Sequence, residues 1–137
     1  MLELRLTADA KRIASMRDAI RRECDRSKAG RDHAETVAFV IEQLVTGDDR
    51  ESGARRGRRA RRSSERFVIV TVHSDATMLM VREPRPVQVD LGERRRRLLH
   101  EATARWSTIA GREGRTICAE VPRTDRVPAV APCAGRA

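Results

Sequence analysis

Leu2, Leu4 and Leu6 alternate with Glu3 and Arg5, and this period of two predicts a strand with one face turned to a core. The period then changes. Thr7 and Asp9 can accept from the free amides of a helix start, and Ile13, Met16, Ile20 and Cys24 follow at spacings of three and four, with arginines between them facing water. Lys28, Ala29 and Gly30 end that helix. A second helix begins at Asp32, where Ala34, Val37, Ala38, Val40, Ile41, Leu44 and Val45 make an apolar stripe broad enough for deep burial up to Gly47. From Gly47 to Ser64 the apolar periodicity is lost among Gly, Asp, Ser, Ala and Arg, which predicts a mobile loop over 48–65.

Phe67 to Val72 is rich in β-branched residues, Ser74, Asp75 and Ala76 can turn, and Thr77 to Val81 returns, so a hairpin is expected. Pro84 and Pro86 break the second strand. Leu99, Ala102, Trp106 and Ile109 fall at helical spacing, predicting a third helix from about Gly92 to Ile109 with Trp106 buried on its inner side. Gly111 and Gly114 bracket a tight connection to a last strand, Thr116 to Val121, which ends at Pro122. The order β-α-α-loop-β-β-α-β predicts an α+β fold: a two-layer sandwich, with a mixed or antiparallel sheet and three helices on one face. The domain is expected to span 1–122, with a disordered tail at 123–137.

A chain of 137 residues, 39% apolar, makes one domain with a sufficient core. Phe39, Phe67 and Trp106 are its aromatics, so that core must be aliphatic, and stacking platforms for single-stranded nucleic acid lack their rings. The formal charge of +9 is concentrated between Arg50 and Arg66, where eight arginines face Glu51 and Glu65. Lys11 and Lys28 are the only lysines, a bias that fits GC-rich coding better than selection for phosphate binding. Cys24, Cys118 and Cys133 show no metal or disulfide spacing, and His33, His73 and His100 are scattered. Neither a signal peptide nor a membrane span is legible, so a cytoplasmic protein without a membrane partner is expected.

Three segments together resemble the GHKL ATPase domain in its short anti-sigma-factor and serine-kinase form. The helix Ala34 to Gly47 is similar to the family's helix ending E-L-V-T-N-A. Val81-Arg82-Glu83 stands where the family writes V-R-D-x-G. Leu98 to Trp106, followed by Gly114-Arg115-Thr116-Ile117, resembles L-V-x-x-x-A-x-x-W and G-G-K-T-V-W, with Thr103 in place of the alanine. The resemblance implies an ATP- and magnesium-binding fold whose partners are a sigma factor and an antagonist protein, and which pairs with itself.

Position by position, the boxes depart from the family. Its polarising carboxylate and its magnesium-binding asparagine fall on Gln43 and Gly47, and neither side chain can do that work. Glu83 can still accept from an adenine amino group, but Pro84 and Arg85 replace the flexible x-G that follows. The phosphate-cradling lid is reduced to Gly92-Glu93-Arg94, while Thr116 keeps an adenine-side hydroxyl. Glu42 is turned about 100° from the catalytic position. Asp48 and Asp49 fit a solvated turn better than a metal site.

The remnants of a cofactor site are thus Glu83 and Thr116, with no catalytic residue and no metal ligand assigned. The reading that follows is a degenerate anti-sigma-like regulator that binds proteins, with ATP and magnesium binding lost or weak. Two alternatives stay open: an active ATP-dependent serine-protein kinase, and a nucleic-acid-binding protein that uses the arginine-rich loop.

Overall fold

The computed structural model describes residues 1–51, 65–83, 91–112 and 114–123. The strands are β1 (Leu2–Leu6), β2 (Arg66–Val72), β3 (Ala76–Glu83), β4 (Arg105–Gly111) and β5 (Gly114–Pro122). The helices are α1 (Ala10–Arg26), α2 (Arg31–Glu51) and α3 (Glu93–Ala102). The strands form one antiparallel sheet in the order β1-β2-β3-β5-β4, with the helices against one face, so the fold is the expected two-layer α+β sandwich.

Alternation sets the register. Leu4 lies opposite Val68, Val68 opposite Val81, and Val81 opposite Ile117, all on the face under the helices. Ile13, Met16, Ile20 and Cys24 of α1 and Val37, Val40, Ile41 and Leu44 of α2 cover this face and are buried. Each such side chain contributes roughly 1.5–3 kcal/mol relative to exposure. Burial also pushes the Cys24 thiol up to about 11, so it behaves as the small apolar residue its spacing suggests. Asp9 caps α1, accepting from the Arg12 amide at 2.9 Å.

Three expectations are corrected. The third helix ends at Ala102 instead of Ile109, and Trp106 belongs to the edge strand β4, half-buried against the core. Thr103 takes an extended backbone and stops the helix, its amide and hydroxyl both donating to the Leu99 carbonyl. A run of Trp, Ser, Thr and Ile then favours a strand, and the spacing of Leu99, Ala102 and Trp106 spans the end of one element and the start of the next.

The second correction is at Gly47, which does not end its helix: α2 runs on to Glu51. Of the expected loop 48–65, residues 52–64 lie outside the described residues. Arg66 belongs to β2 and is buried.

The third is at the start of the expected tail. Arg123 is buried, its guanidinium donating to the carbonyls of Ser74 at 3.1 Å and Lys28 at 2.6 Å. Residues 124–137 lie outside the described residues.

Candidate functional site

Antiparallel pairing brings the start of β2, the end of β3 and the start of β5 side by side. The inward positions there are Arg66, Glu83 and Arg115, each continuing the alternation that places Val68, Val81 and Ile117 in the core. Arg95 reaches the same point from α3, one helical turn from Leu91 and from Leu99, both buried. Gly92 makes the entry to α3 possible: its φ of 99° lies in the region where a side chain would be strained, and its carbonyl accepts from the Arg96 amide at 3.0 Å.

The four charged side chains form a buried hub centred on Glu83, which is 2% exposed. Arg115 Nε donates to Glu83 Oε1 at 2.8 Å, and its Nη2 lies 2.7 Å from the same oxygen. Arg95 Nη1 donates to Oε2 at 3.2 Å, and Arg66 Nε lies 3.3 Å from that oxygen. Burial disfavours the charged carboxylate and is the strongest single influence. The guanidiniums of Arg95, Arg115 and Arg66 together outweigh it and hold the carboxyl below its usual range. Arg95 also donates to the carbonyls of Leu91 at 3.0 Å and Leu44 at 3.2 Å, so one guanidinium ties α2 to α3 and both to the sheet.

The residues singled out from the sequence do not come together. Glu83 points under the helices, whereas Thr116, opposite Arg82, lies on the outer face of the sheet. The two therefore cannot contact one adenine ring. Gln43 is half-buried on α2 beside Leu44, whose carbonyl Arg95 occupies. Gly47 sits within the α2 backbone, and Arg85 lies outside the described residues. Glu42 pairs with Arg17 of α1, away from the hub. Among the described residues no three His, Cys, Asp or Glu side chains converge as metal ligands would. No described helix is long and apolar enough to cross a membrane.

Sequence reasoning missed Arg66, Arg95 and Arg115 as partners of Glu83. The signals were present: each arginine falls on an inward period of its own element, two for the strands and four for the helix. His33 was also passed over, and its Nε2 lies 2.6 Å from the Thr77 hydroxyl in the core. No protein-family model matches the chain, and no curated protein matches it in sequence.

Proposed function

We propose that this protein is a regulatory, protein-binding module of the anti-sigma-like type, in which the nucleotide site has been replaced by an ion-paired core and ATP binding is lost or weak. The observation that carries the reading is Glu83, the carboxylate the resemblance would assign to adenine. Its two oxygens face three guanidiniums, and an adenine amino group would have to displace one of them. Arg95 strengthens the case by bridging Leu44 of α2 and Glu83 of β3, the gap between the two elements expected to share the nucleotide. Gln43 and Gly47 offer magnesium no carboxylate, which supports the same reading. The partners that follow from the resemblance are a sigma factor or its antagonist.

A thermal melt with millimolar magnesium-ATP tests this. A ligand at 100 times its dissociation constant stabilises a fold by about 2.7 kcal/mol. The expected midpoint is unmoved by nucleotide. A rise of several degrees would replace this reading with the active-kinase one.

A further inference from the structure

The two edges of the sheet are β1 and β4. Natural edges avoid unwanted pairing by being short, charged, bulged or interrupted by proline. The β1 edge follows that rule, since its five residues include Glu3 and Arg5. The β4 edge does not. Its seven residues, Arg105–Gly111, have no charge after Arg105 and no proline, and they include Trp106, Thr108 and Ile109, the last of these 66% exposed. Among the described residues, β4 pairs with β5 alone, which leaves one side of its backbone open to another strand.

Charge says what kind of strand fits. Arg105 stands at one end of β4, its side chain 85% exposed, and exposed Arg112 follows the other end. No acidic residue lies between Thr103 and Arg112. The wider stretch 93–112 holds six arginines against two glutamates, and Glu120 approaches Arg105 only to 3.9 Å. Two copies pairing through β4 would set these arginines against each other, whereas an acidic segment would neutralise them.

We propose that the free edge of β4 takes an extended, acid-ended segment of a partner protein as a sixth strand. The assignment rests on the protein-binding reading above and names its docking edge. Main-chain hydrogen bonds hold the added strand, and two acids spaced to meet Arg105 and Arg112 select it. Seven residues of strand span roughly 24 Å, so those acids stand about seven positions apart.

The test uses the full chain and the peptide acetyl-Glu-Thr-Val-Thr-Val-Thr-Thr-Glu-amide. Two analogues accompany it, one with lysine at both ends and one N-methylated along a single edge. Trp106, the only tryptophan, reports binding from within β4, and amide chemical shifts locate it. The expected result is a saturable Trp106 change with shifts confined to β4 and its flanks, and at least tenfold weaker binding of both analogues. The double variant Arg105→Glu, Arg112→Glu should reverse the preference and favour the lysine-ended peptide, with a melting midpoint lowered only slightly by the new carboxylate opposite Glu120. Equal binding of the N-methylated analogue would overturn strand addition, as would shifts centred on Met78 and Met80 of the outer face. Absence of binding would overturn the edge assignment, and so would β4 shifts that track self-association of the protein alone. Because nucleotide binding is read separately by the ATP melt, loss of the docking edge leaves the regulatory reading standing, and the reverse also holds.

Discussion

Both ends of the β3–β5 pair are closed by buried arginines, but the two closures differ in chemistry. At one end Arg66, Arg95 and Arg115 converge on the single carboxylate of Glu83. At the other, Arg123 donates to the neutral carbonyls of Lys28 and Ser74 and joins the α1–α2 connection to the β2–β3 turn. A carboxylate among guanidiniums buries both signs of charge, and desolvating them leaves such a cluster a weak source of net stability that is nevertheless costly to break. The Arg123 end joins side chain to backbone, while the Glu83 end holds a charge arrangement that an aliphatic core could have replaced.

The largest effect expected is at the charged end. Glu83→Ala leaves three buried guanidiniums without their shared carboxylate and should cost about 3–5 kcal/mol in denaturant unfolding. A cost below 1 kcal/mol would show that the cluster is not held by this residue. Midway between the two ends, Leu79→Ala removes a 2%-exposed side chain next to Val70 and Ala119, and should cost about 3 kcal/mol through lost apolar burial and the cavity left behind. Arg123→Ala should cost about 2 kcal/mol, the value of charge-assisted bonds to neutral acceptors. If Arg123→Ala proved as damaging as Glu83→Ala, the two closures would have to be treated as equivalent.

The smallest and most discriminating difference is in pH. The folded Glu83 carboxyl titrates below its ordinary value of 4.5, so its contribution is fully present above that value. Below pH 4.5 the unfolded chain takes up the proton first, and the contribution declines until it is gone once the folded pKa is passed. Unfolding free energies measured between pH 6 and pH 3 should therefore fall less steeply in Glu83→Gln than in the unmodified protein. Parallel slopes in the two proteins would remove the electrostatic role assigned to Glu83.

Much of this architecture was legible as alternation and helical spacing. Leu2, Leu4 and Leu6 gave one strand, Ile13 to Cys24 one helix, and Gly111 with Gly114 the closing turn. Trp106 misled because a residue four beyond Ala102 fits a continuing helix equally well, and only the extended Thr103 decides between them. The hub was hidden for a different reason. Charged residues at inward positions near strand ends read as solvated termini until pairing shows that three such ends meet, and Arg95 lay within a run of four arginines that spreads around a helix. Glu83 was singled out as an adenine-side acceptor and Arg115 lay in a segment that carried the resemblance, but the resemblance gave no reason to pair the two.

The position of β5 in the sheet has a consequence for the order of folding. Although late in the chain, this strand lies between β3 and β4, and it brings Arg115 to a carboxylate 32 positions earlier. During synthesis, a nascent chain that has emerged only as far as Gly111 has β3 with an unfilled edge, β4 with no neighbour and Glu83 without its closest guanidinium. Such long-range closure is slow, because the chain must be drawn together before the contact is made. The ribosome thus releases a segment in which two strands wait for the same partner, and that interval is when misassembly between chains is most exposed.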